Sequence, residues 1–109
     1  ELVYRQAKEV AESLAADPTS PNLNLRRLIA LYNLPSTTTP ETLGAALVGA
    51  GDGVLSRVKH HVAGAEWRLP EQLDKVTGEP RSAKDLTWSY ANMLTAARAR
   101  EEAVWAAGA

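Results

Sequence analysis

The chain has 109 residues, is 45% hydrophobic and carries a formal charge of −1. That is the size of one small domain with a modest core. With 12 basic and 13 acidic residues neither sign dominates, so composition offers no argument for nucleic acid or an anionic membrane as partner. Zero cysteines exclude a disulfide framework and a cysteine-based metal centre. No apolar run is long enough to span a bilayer, and no signal-peptide pattern opens at Glu1.

Val3, Ala7, Val10 and Leu14, flanked by Leu2 and Ala11, repeat at helical spacing and predict a helix over residues 1–16 with Arg5, Lys8, Glu9 and Glu12 facing out. Asp17-Pro18 ends it, because the residue before a proline is pushed away from helical angles. After a turn-rich connection, Asn24 caps a short second helix carrying Leu25, Leu28, Ile29 and Tyr32, which stops near Leu34-Pro35. Residues 36–39 form a polar loop, and the chain contains no Asn-x-Ser/Thr sequon.

Thr39-Pro40-Glu41 opens a third helix with a hydroxyl cap, a proline at the first position and an acid in the first turn. Leu43, Leu47, Ala50, Val54 and Val58 mark its buried face as far as about Val62. Gly49, Gly51 and Gly53 each weaken a helix by about 1 kcal/mol relative to alanine, which close packing of another element would justify. Gly-Ala-Gly-Asp-Gly is no phosphate loop, since neither a preceding strand nor a following Lys-Ser/Thr is present. The adjacent His60 and His61 point apart and suit a helix C-terminus better than a metal.

From Leu69 to Arg81, two prolines and a Thr77-Gly78 turn predict a loop. Ser82, followed three residues on by Asp85 and then by an apolar run, has the spacing of a capping box and predicts a fourth helix from Ser82. No charge occurs between Asp85 and Arg98, so this helix is expected to be buried nearly all round and to sit at the centre of the fold. Arg98, Arg100, Glu101 and Glu102 return it to water, and Trp105 is expected to pack near its end.

The segment Pro-Glu-Gln-Leu-Asp-Lys at 70–75, Thr-Gly-Glu-Pro at 77–80 and Ser-Ala-Lys-Asp-Leu-Thr-Trp-Ser-Tyr-Ala at 82–91 resembles the final catalytic segment of the glucoamylases of glycoside hydrolase family 15. The likeness is dense over residues 51–100 and weaker before. It implies an all-α fold, with residues 1–109 as the C-terminal helices of an (α/α)6 barrel and an incomplete domain. It also implies an inverting, exo-acting glucan 1,4-alpha-glucosidase that releases glucose from α-glucan or malto-oligosaccharide ends, needs no cofactor or metal, and is secreted.

Four acids, Glu71, Asp74, Glu79 and Asp85, lie in or beside the loop, where most acids serve solvation and capping. The resemblance singles out Glu71 as the general base. Inversion needs one acid to protonate the leaving oxygen and one carboxylate to activate a water on the opposite face, roughly 6.5–9.5 Å away. Gln72, Ser82 and Trp88 are the matching substrate-binding or site-supporting candidates. Ser82 could hydrogen-bond the base, and Trp88 could line the site or pack in the core, as could Trp67. Leu73 departs from the Tyr or Phe common there, which leaves the base in place and the local packing open.

The family's general acid, and the upstream Arg, Asp and Trp residues that grip the terminal glucose, match nothing in this chain. The implied partner is therefore the remainder of the same catalytic domain, and the 109 residues alone are expected to be inactive and poorly folded. The alternative is a stand-alone helical interaction module without catalysis.

Overall fold

The computed structural model describes residues 1–64, 67–82 and 85–106. The chain is all-α, with helices α1 (Leu2–Ala16), α2 (Leu25–Leu31), α3 (Pro40–Ala63) and α4 (Thr87–Ala106). Between α3 and α4 lies one small hairpin, β1 (Gln72–Leu73) against β2 (Pro80–Arg81). The boundaries of the first three helices follow local chemistry. Asp17 ends α1, and the Asn24 side chain accepts from the Arg27 N–H at 3.1 Å to cap α2. Thr39 and Thr42 satisfy each other's backbone N–H groups in a reciprocal capping box ahead of α3, with Pro40 at its first position.

The helix at the centre is α1, not α4. It lies along both α3 and α4, which touch each other only sparsely. Tyr4, Ala7 and Val10 of α1 meet Leu28, Leu43, Leu47, Ala99 and Ala103 in one core. Tyr4, 1% exposed, is the largest of the fully buried side chains, although the apolar periodicity of α1 points to Val3. Its ring lies over Gly51, where any Cβ would stand 2.5 Å from Tyr4 Cε1. Of the four glycines of α3 only Gly51 is required by packing; nothing lies within 4 Å of a Cβ at Gly44, Gly49 or Gly53.

The Tyr4 hydroxyl donates to Asp52 Oδ1 at 2.6 Å, and Arg100 clasps the same carboxylate through Nε at 2.7 Å and a second nitrogen at 3.0 Å. One cluster thus links α1, α3 and α4. Such a two-pronged guanidinium–carboxylate pair fixes orientation as well as distance. The Arg100 and Tyr4 hydrogen bonds hold the Asp52 carboxyl below its ordinary range. Burial, then the Asp52 hydrogen bond and charge, push the Tyr4 hydroxyl up to about 12.

Three expectations are corrected. First, α4 begins at Thr87, not Ser82: Ser82 sits at φ 61° as the chain leaves β2, and so cannot be the extended cap of a helix. Ala83 and Lys84 of the expected first turn lie outside the described residues. Second, α4 is not buried all round. Only Ala99 and Ala103 are buried, while Trp88 is 72%, Leu94 73% and Trp105 78% exposed. Two alanines face the core, while its largest apolar side chains, Trp88, Leu94 and Trp105, face out. Third, Val54 of the expected α3 core face is exposed, because it faces an open cleft rather than the core, against which its neighbour Leu55 packs.

The chain is elongated, 49 × 25 × 18 Å, with a radius of gyration of 16.0 Å. A compact domain of this length would have about 13 Å.

Candidate active site

The segment expected to be a plain loop is a hairpin with a built turn. Gln72 pairs with Arg81 and Leu73 with Pro80 in antiparallel register. Asp74 organises the turn: its Oδ1 accepts from the N–H groups of Val76 at 2.9 Å and Thr77 at 3.0 Å, and its Oδ2 pairs with Arg81 at 3.4 Å. Those donors, Thr77 first, hold the Asp74 carboxyl below its ordinary range. Gly78 takes φ 76°, and a Cβ there would overlap the His61 ring, so the turn rests against the last turn of α3. His61 thus packs against the turn, where its place at the helix end suggested only a surface role beside the negative end of the helix.

Before the hairpin, the chain is tied to the start of α4. The Leu69 carbonyl accepts from the Leu86 N–H at 3.1 Å, and the Leu69 N–H donates to the Tyr90 hydroxyl oxygen at 3.2 Å. That hydroxyl in turn donates to Asp85, which also pairs with Arg68 at 3.7 Å. Ser89 Oγ donates to the Pro70 carbonyl at 2.8 Å. Pro70 is buried, and Glu71 follows it, exposed.

Glu71 and Gln72 face a cleft of about 530 Å³ between the C-terminal half of α3 and the first half of α4, lined also by Val58, Pro70, Ser89 and Met93. Of the four acids in this region, Asp74 is committed to its turn and Asp85 to Tyr90 and Arg68. The carboxylates of Glu71 and Glu79 make no hydrogen bond among the described residues, and only Glu71 lines the cleft. The structure therefore brings Glu71 and Gln72 together at one opening. Ser82 stands just beyond the partner strand, one residue after Arg81, and makes no hydrogen bond to Glu71. Trp88 is neither core nor cleft lining, and Trp67, at φ 63°, is 57% exposed. Among the described residues no group of side chains could hold a metal ion, and no helix is long and apolar enough to cross a membrane.

The sequence model of the family described as Glycosyl hydrolases family 15 matches residues 5–98. The chain belongs to this family. Similar curated proteins are a glucoamylase of Blastobotrys adeninivorans, 51% identical over 57 residues, and glucoamylase-1 of Schizophyllum commune, 45% identical over 69 residues. A glucoamylase of Neurospora crassa is 39% identical over 69 residues. These matches cover 52%, 63% and 63% of this chain but only 9%, 12% and 11% of those proteins, so the chain spans a small part of the family members it resembles. No solved structure matches the chain significantly. The family match takes in α1, α2, α3, the hairpin and most of α4 as one unit, well beyond the signature around Glu71.

Proposed function

We propose that the chain is the C-terminal part of a glucoamylase-like catalytic domain, the last helices of an (α/α)6 barrel, and that Glu71 is the general base of an inverting, exo-acting glucan hydrolase. The observation that carries this is the placement of Glu71. It is the one acid of its region that is both unengaged by protein partners among the described residues and at the mouth of a cleft, within a segment matched to family 15. An exposed carboxylate on a held backbone can take a proton from a water that attacks the anomeric carbon from the face opposite the leaving oxygen. The second carboxylate, which would protonate that oxygen, is supplied by the rest of the domain. So are the groups that grip the terminal glucose. Gln72 beside the base, Ser82 past the adjoining strand and Trp88 on the open face of α4 are the supporting residues of this reading.

Substrate and compartment follow from the same reading: the non-reducing ends of starch and related α-glucans, in an extracellular setting. The elongated shape and the exposed large side chains of α4 favour a part of a larger barrel over a free-standing interaction module. The test is release of β-glucose from maltose by the intact polypeptide and by its Glu71→Gln variant. Loss of the base should lower kcat about 10²- to 10⁴-fold. Full turnover in Glu71→Gln would overturn the assignment, and activity from the 109 residues alone would overturn the need for a second carboxylate from elsewhere.

A further inference from the structure

Glu71 is exposed, yet the backbone leading to it is held at several points. The Pro70 ring locks one torsion. The remaining torsion of Pro70 is set by the plane of the Pro70–Glu71 peptide, and a peptide plane is rigid from one Cα to the next. Whatever holds the Pro70 carbonyl oxygen therefore holds the Cα of Glu71. That oxygen accepts from Ser89 Oγ at 2.8 Å. One residue earlier, both backbone groups of Leu69 are taken, the carbonyl by the Leu86 N–H and the N–H by the Tyr90 hydroxyl oxygen. Tyr90 can accept there because its own proton goes to Asp85.

We propose that Ser89 and Tyr90 are positioning residues for Glu71: two adjacent hydroxyls of the first turn of α4, Ser89 fixing the Pro70–Glu71 peptide plane from which the base projects and Tyr90 fixing the Arg68–Leu69 peptide that leads into it. This deepens the general-base reading and rests on it. Ser89 lines the same cleft as Glu71, but its hydroxyl proton is spent on the Pro70 carbonyl, and Tyr90 is not among the lining residues. Ser89 spends its proton on a main-chain carbonyl rather than on the backbone of its own helix, where a serine of the first turn ordinarily finds partners. A base displaced by about 1 Å can lose on the order of 100-fold in rate while the substrate still binds.

The test uses the intact polypeptide with maltose. Ser89→Ala should lower kcat by about tenfold or more with KM little changed, because binding is uniform in ground and transition states while alignment is not. Ser89→Thr, which restores a hydroxyl, should recover most of it. The decisive arm is the double variant. If Ser89 acts only through the base, Ser89→Ala should cost nothing further in the Glu71→Gln background. A tightening role elsewhere would cost the same in both backgrounds, and that result overturns the proposal, as does wild-type kcat in Ser89→Ala. Full turnover in Glu71→Gln alone removes the base itself, which is a different failure and visible as such. Should Ser89→Ala not fold by thermal melting, Tyr90→Phe keeps the ring, loses the acceptor and carries the same comparison.

Discussion

Gly51 is the floor on which the Tyr4 ring lies: no side chain larger than hydrogen fits between that helix backbone and the ring. Tyr4 is 1% exposed and cannot swing away without abandoning Asp52. Gly51→Ala should therefore destabilise by about 1–3 kcal/mol through overpacking, outweighing the roughly 1 kcal/mol that alanine adds to a helix interior. Gly49→Ala, with open space at its Cβ, should keep that gain and stabilise. Thermal or denaturant unfolding of the intact polypeptide checks the opposite signs.

The same tyrosine should confer a signature at alkaline pH. Its hydroxyl titrates near 12 in the folded chain and near 10 when unfolded. A folded value raised above the unfolded one means that the contribution is complete below about pH 10 and is lost between pH 10 and 12. Stability of the parent should fall more steeply across that window than that of Tyr4→Phe, measured by urea midpoints. Asp52 behaves oppositely: its lowered value gives a contribution present above the usual carboxylate range and lost on acidification.

The hairpin turn depends on Asp74. Its carboxylate, held below its ordinary range by the Thr77 and then the Val76 N–H groups, supports the turn at neutral pH and releases it only as acidification protonates it. Asp74→Ala should open the turn selectively, seen as faster tryptic cleavage after Lys75 with an unchanged unfolding midpoint. Since β1 begins immediately after Glu71, kcat should fall in the same variant.

Trp67, Trp88 and Trp105 are all more than half exposed. In the isolated 109 residues their fluorescence should resemble that of tryptophan in water and be quenched readily by iodide. In the intact polypeptide, where the proposed barrel covers the outer face of α4, Trp88 should become shielded. Comparing quenching in the intact protein and its Trp88→Phe variant isolates that signal; equal quenching in both settings contradicts the proposed covering.

Local signals predicted local structure well. Asp17-Pro18, Asn24 and Thr39-Pro40 act on their own neighbours, so α1, α3 and the start of α2 stood within a residue or so of the expected limits, whereas α2 ends at Leu31, three residues before the expected Leu34. Ser82 and Asp85 carried the same spacing, but the hairpin exit claims Ser82 with a left-handed backbone and Tyr90 claims Asp85. The apolar run of α4 states that its surface wants covering; it does not state by what, and Ala99 and Ala103 rather than the large side chains turned inward. Asp52 and Arg100, 48 residues apart, read as a glycine-rich oddity and a solvated helix end because nothing local joins them. For the site, Glu71 and Gln72 stood out through family likeness, whereas Ser89 and Tyr90 needed the fold, since their partners lie 19 and 21 residues upstream.

The placement of α1 bears on how segments of such enzymes can be exchanged. The recognisable signature begins near residue 69, yet the helix it leans against spans residues 2–16 and shares Tyr4 with Asp52 and Arg100. A crossover drawn between α1 and α3 would graft the family signature onto a foreign support. Chimeras that inherit α1, α3 and α4 from one parent should survive where those split among two parents do not.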